Sequence, residues 1–264
     1  TGYAKGIYDR KNTKNPFKDW YHVFVPYCTG DIHWGDKVTT YSEGSTSVTI
    51  NHKGAVNVKA VLAWIKQNFG GPETIFVTGC SAGAYGSVMW SAHLAKHYPA
   101  AKLYQMGDSG AGIVTSTFLK DSFPRWNALP AAPSWIPTLD PATIDLASKD
   151  MTYIYQSLAN HHTAHTFSQY NTLADSTQIF YYTTMGGGSG AAWTQQMVKS
   201  MDDLIKGATS FRAYVAPGKL FNITAYTEFY TVSVGGTKLV DWLADMVAGK
   251  PVKSVRCASC TPGP

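Results

Sequence analysis

Charge is scarce in this chain. Only 15% of its 264 residues are Asp, Glu, Lys or Arg, and the formal net charge is +5. The Lys and Arg are scattered, with no basic run interleaved with aromatics, so no nucleic-acid partner is expected. Long apolar runs are missing as well. None approaches the ~18 residues of a membrane-spanning helix, so no span is expected. Cysteine is confined to Cys28, Cys80, Cys257 and Cys260. The Cys257-x-x-Cys260 pair has no second pair at ligand spacing, so no metal centre is expected. It reads instead as a local disulfide or a pairing with another segment. Cys80 reads as a buried small residue or a disulfide partner. Histidine runs out early, because none of the eight follows His165. Repeats and low-complexity tracts are absent, and nothing implies an organic cofactor. No secretory leader is present, yet the chain opens abruptly at Thr1 in polar sequence, as though an upstream segment preceded it.

Aromatic residues are plentiful, with 16 Tyr and 8 Trp, and 44% of the chain is hydrophobic. That supports one large α/β domain with a substantial core. The aromatic-rich, charge-poor balance suits a secreted protein that processes carbohydrates or esters. Asn222-Ile223-Thr224 fits a glycosylation sequon.

Strand and helix signals alternate along the chain. Residues 21–27 (Y-H-V-F-V-P-Y) read as a buried strand leading into a loop that carries Asp31 and His33. Residues 48–50 read as a short edge strand. Residues 51–69 read as a helix with Val56, Ala60, Ala63 and Trp64 on one face. Strands follow at 75–78, 102–106, 165–173 and 211–215, and helices at 143–160, 192–206 and 241–248. Gly235-Gly236 marks a hairpin. The proline-rich stretch 120–141 reads as an irregular insertion over the carboxyl edge of the sheet. The alternation predicts a doubly wound, mostly parallel sheet flanked by helices.

Residues 74–86 (T-I-F-V-T-G-C-S-A-G-A-Y-G) carry the chemistry. Gly79-Cys80-Ser81-Ala82-Gly83 is a G-x-S-x-G motif between a strand and a helix, the context that makes it a nucleophile turn. Small residues two places either side of Ser81 let the chain turn sharply. The hydroxyl is then held at a helix N-terminus, where backbone N–H groups can stabilise an oxyanion. A serine nucleophile also needs a base and an acid that orients it. Asp175 follows a strand and is the best acid, with Asp108 second. Asp175 equally fits a helix N-cap, and one carboxylate can do both. His93 and His97 lie about 18 and 24 Å along the nucleophile helix and cannot serve as the base. His161, His162 and His165 precede a strand, at the wrong end of the sheet. His33 alone lies on a loop at the correct edge, and it is the candidate substitute base.

Several segments together resemble the pectinacetylesterase family, which includes Notum-type carboxylesterases. They are V-P-Y-C-T-G-D-I-H-W-G-D at 25–36, G-C-S-A-G at 79–83, G-D-S-G at 107–110, A-D-S-T-Q at 174–178, A-P-G at 216–218, E-F-Y at 228–230 and Asp241-Trp242. The resemblance implies a single α/β-hydrolase domain over 1–264, lacking its N-terminal strand or strands. It implies removal of acyl groups from polysaccharide or a related ester, and an extracellular setting. Ser81 then corresponds to the nucleophile, Asp175 to the acid and Ala82 N–H to one oxyanion donor. Two departures stand out. Phe221 occupies the position of the expected histidine, and the family's glycine-rich oxyanion segment would lie upstream of Thr1. The alternatives are therefore an impaired or purely ligand-binding relative, and a polyester depolymerase with the same chemistry. The Phe221→His variant is expected to raise hydrolysis of short p-nitrophenyl esters by orders of magnitude. An unchanged rate in a folded variant would remove Phe221 as the lost base position.

Overall fold

The computed structural model describes residues 4–257. A hairpin comes first, β1 (Lys37–Glu43) and β2 (Thr46–His52), then α1 (Gly54–Asn68). The next units are β3 (Thr74–Cys80), α2 (Ala82–His97), β4 (Lys102–Asp108) and α3 (Ser116–Trp126). α4 (Met151–His161), β5 (Thr166–Thr172), α5 (Ser176–Thr184), α6 (Gly190–Gly207) and β6 (Phe211–Ala216) follow. The chain closes with β7 (Ser233–Val234), β8 (Thr237–Lys238), α7 (Leu239–Val247) and β9 (Val255–Arg256). Five strands form one parallel sheet in the order β3-β4-β5-β6-β9. Seven α-helices flank it among the described residues, which gives the predicted doubly wound α/β architecture.

Parallel strands buried on both faces need apolar cover on each side. Successive residues of β6 face opposite layers. Ala213 and Val215 join a core with Leu62 of α1, Val88 of α2, Leu158 of α4 and Met201 of α6. Tyr214 and Ala216 join a second core with Ile7, Phe17, Phe229 and Leu243 of α7. Helix α6 starts at a Ser189 cap, whose hydroxyl accepts from Ala192 N–H. Gly235 and Gly236, at φ 57° and 82°, make the β7–β8 turn.

Four expectations need correction. Residues 21–27 form no strand, and Tyr21, Val23, Phe24 and Tyr27 are exposed. No strand among the described residues pairs with them, so their β-branched and aromatic pattern does not become a buried strand. The edge strand expected at 48–50 is the second arm of a seven-pair antiparallel hairpin. The α1 face that packs inward carries Ala55, Val58 and Leu62, while Val56 and Trp64 are exposed. The stretch 120–141 is more ordered than expected. It begins in α3 and continues through two 3-10 turns, Leu129–Ala131 and Pro137–Leu139. Its second half packs along the far end of α2, where His93 bonds Ala131 O and Lys96 lies over the Trp135 ring. That position is about 18 Å along the helix from Ser81. Cys28 and Cys80 are free thiols. Cys260 lies outside the described residues, and so does the 257–260 pairing. No helix among the described residues is long and apolar enough to cross a membrane.

At the opposite edge of the sheet from Ser81, His161, His162 and His165 lie in series, the first pair edge-to-face and the second tilted, with centroids 4.8 and 5.7 Å apart. His162 Nε2 is buried without a partner. Burial, reinforced by the neighbouring imidazoles, pushes the His162 pKa down to about 4. The unfolded chain protonates this residue near its ordinary value of about 6.5. Its contribution to stability is therefore complete above that value and is lost as pH falls towards 4. His162→Phe is expected to flatten the fall in Tm between those pH values, measured by thermal melts. Equal slopes in the two proteins would exclude His162 as a source.

Candidate active site

Strands β3 and β4 end level, because Cys80 pairs with Asp108 in the parallel ladder. The chain then turns at Ser81 into α2. Ser81 has φ 55° and ψ −118°, outside the regions ordinary L-residues favour. Such strain persists only where the surroundings enforce it. Ser81 N–H donates to Asp108 O at 2.8 Å, and Ala84 N–H donates to Ser81 O at 2.9 Å. The turn also needs empty space. A Cβ on Gly79 would stand 2.3 Å from Gly83 O, and one on Gly110 would stand 2.3 Å from Ala84 Cβ and 3.0 Å from Ser81 O. Ser81 caps α2 without using its hydroxyl, so Oγ stays free. Ala82 N–H, in the first turn, has no intrahelical acceptor.

Asp175 is fully buried and caps α5. Oδ1 accepts from Thr177 and Gln178 N–H, and Oδ2 accepts from Gln178 Nε2 at 3.0 Å. Burial raises its pKa, against the pull of these bonds and of the Ser109 hydroxyl. The cap and the position after β5 therefore coexist. Gln178 makes two further ties, donating to Asn171 Oδ1 and accepting from Ala111 N–H. It thereby joins α5 to the loop after β4.

His33 lies in a constrained loop. Ile32 and His33 have φ 52° and 66°, uncommon for residues with a Cβ and an outlier for β-branched Ile32. Asp31, fully buried, holds them. It accepts from Thr29 Oγ1, His33 N–H and Gly54 N–H at the start of α1. The His33 ring lies 4.7 Å from the Tyr27 ring and beside Gly86, where an added Cβ would meet its Cδ2 at 2.9 Å. Gly86 is about 7.5 Å along α2 from Ser81. Burial lowers the His33 pKa and favours the neutral imidazole. Among the described residues, no hydrogen bond joins an imidazole to Ser81 Oγ or to Asp175.

Two positions carry more of the site than their sequence signals suggest. Asp108 and Thr224 are both buried, and Asp108 accepts from Thr224 N–H, Thr224 Oγ1 and Ile223 N–H. The sequon threonine is thus committed inside the fold, and Asn222 Oδ1 is buried without a partner. Cys80 Sγ lies 3.3 Å from Asp108 Oδ2, and burial next to that carboxylate pushes the thiol pKa far up. Such a thiol is no nucleophile. The G-D-S-G and A-D-S-T-Q strings were the available signals for Asp108 and Gln178. Thr224 was hidden within the sequon.

Residues 2–125 match the family model described as pectinacetylesterase. The family likeness is to the pectinacetylesterases. The matched part contains His33, Ser81 and Asp108 and ends before Asp175 and Phe221. Two crystal forms of the Wnt deacylase Notum from Drosophila share the fold. One has TM-score 0.68 at 14% identity, over 98% of this chain and 77% of the other. The second has TM-score 0.64 at 15% identity, over 97% and 78%. No curated protein matches the sequence. The architecture is thus an α/β-hydrolase fold, and the sharp turn at Ser81 keeps its glycines on either side. Gly110→Ala is expected to force Ala84 and the Ser81 carbonyl apart, at a cost of about 1–3 kcal/mol in denaturant melts. Gly71→Ala, with open space around its Cβ, should stay within about 0.5 kcal/mol of wild type. Equal stability of the two variants would refute tight packing at the turn.

Proposed function

We propose that this chain is a serine carboxylic-ester hydrolase of pectinacetylesterase type. It acts outside the cell and removes acyl groups, acetyl above all, from polysaccharide or a related ester. The observation that carries the reading is Ser81 itself, a non-glycine residue held at φ 55° with its hydroxyl uncommitted at a helix N-terminus. In the proposed reaction Ser81 Oγ attacks the ester carbonyl while a base accepts its proton. Ala82 N–H donates to the oxyanion of the tetrahedral intermediate. Collapse expels the substrate alcohol, which takes a proton from the base, and leaves an acyl-enzyme. Water then attacks that ester, giving up a proton to the same base; collapse returns that proton to Ser81 Oγ and the carboxylic acid departs. Asp175 orients the base. The base is His33, after a rearrangement of its loop, or a group supplied from beyond residues 4–257.

A second reading rests on a specific observation. Phe221 stands where the family's histidine is expected, and no imidazole bonds Ser81 among the described residues. A relative that binds an ester or glycan with little turnover fits that arrangement, because serine catalysis without its base falls by orders of magnitude. A polyester substrate would use the same serine chemistry, since loops set the leaving-group pocket. A fluorophosphonate probe separates these readings. Intact-mass analysis is expected to find one adduct on the wild-type chain and none on Ser81→Ala. A folded wild-type chain that stays unlabelled would sink the esterase reading. Labelling without hydrolysis of short p-nitrophenyl esters would favour the binding relative.

A further inference from the structure

We infer that Asp108 is the positioning residue of this site, holding the loop after β6 in fixed relation to the nucleophile turn. The inference rests on the esterase reading and says how the parts of that site are tied together. Three connections meet at residues 108 and 109. The first runs to the nucleophile, because Asp108 O accepts Ser81 N–H at 2.8 Å. The second runs to the loop that carries Phe221. Asp108 Oδ1 accepts Ile223 N–H at 3.1 Å, and Oδ2 accepts Thr224 N–H at 2.9 Å and Thr224 Oγ1–H at 2.6 Å. The third runs through Ser109, whose hydroxyl donates to Asp108 Oδ1 at 3.1 Å and accepts Asn222 N–H at 3.0 Å.

The chemistry of this arrangement is specific to a carboxylate. Every group facing the two oxygens is a donor, so both oxygens must accept. An amide of the same shape would turn an NH2 towards one donor set and lose those bonds. The held loop turns at Asn222, whose φ of 61° and ψ of 57° lie in the left-handed region that asparagine tolerates. Residue 221 lies next to the tethered 222–224 segment, so the clamp decides where a base at 221 would sit. Asp108 touches no reacting atom in this account and acts only through the loop.

Hydrogen exchange, read residue by residue, tests the clamp apart from catalysis. In Asp108→Asn the amides of Ile223 and Thr224 are expected to exchange at least tenfold faster, with the amides of β5 still protected. Thr224→Val should give the same local loss in milder form, and Thr224→Ser should restore protection. This series keeps the test open if Asp108→Asn does not fold. Unchanged exchange at 223 and 224 in a folded Asp108→Asn or Thr224→Val protein overturns the clamp. In the Phe221→His background, Asp108→Asn should lower kcat for p-nitrophenyl acetate at least tenfold at nearly constant KM. An unchanged kcat there overturns the positioning role. If the esterase reading itself is wrong, the wild-type chain takes up no fluorophosphonate although exchange still responds to Asp108→Asn. That result removes positioning for catalysis and leaves only a loop anchor.

Discussion

The left-handed backbone of Ser81 is the constraint that the rest of this site serves. A serine at φ 55° is unfavourable by itself, and the fold supplies what keeps it there. Strand β3 enters in register with β4, so Ser81 N–H meets Asp108 O. Gly79 and Gly110 leave the space that a side chain would fill. Helix α2 leaves at once and carries the small residues Ala82, Gly83 and Ala84. The result is a hydroxyl at a helix N-terminus that makes no capping bond. A plain strand–helix connection needs none of this strain.

The other parts of the site are arranged by the common carboxyl edge of the sheet. β4, β5 and β6 run parallel, so the segments after them converge. Asp108 and Ser109 follow one strand, Asp175 the next, and the 221–224 loop the third. Buried carboxylates in such a place are costly unless donors surround them. Here Asp108 is met by backbone and hydroxyl donors, and Asp175 by a helix N-terminus and the Gln178 amide. Two buried carboxylates are thus satisfied at this edge, next to the turn at Ser81 and to the loop that carries Phe221.

The legible features were those with strong local chemistry. The G-x-S-x-G turn announced itself through small residues between a β-branched run and a helix. Asp175 read correctly as a helix cap, since the cap is set by Ser176-Thr177-Gln178 next to it in the chain. Features that depend on distant partners were read less well. Residues 21–27 have the local signs of a strand, but a strand needs a neighbour, and no strand among the described residues pairs with them. The face of α1 could not be chosen locally, because Val56 and Val58 are both apolar and only packing selects Val58. The sequon at 222–224 gave no local sign that Thr224 is buried on a carboxylate more than a hundred residues earlier.

By itself, the sequence determined most of the elements and the sharp turn at Ser81. Hydrophobic period, glycine placement and caps act over a few residues and can be read from the chain directly. It also determined that no histidine follows residue 165. The tertiary structure alone decided which strand stands at the sheet edge, which side of each helix is buried, and which polar groups meet. Asp108 bonds the 222–224 loop because folding brought Thr224 to it across 116 positions. Such a hydrogen bond leaves no local trace in sequence, since either partner on its own reads as an ordinary polar residue.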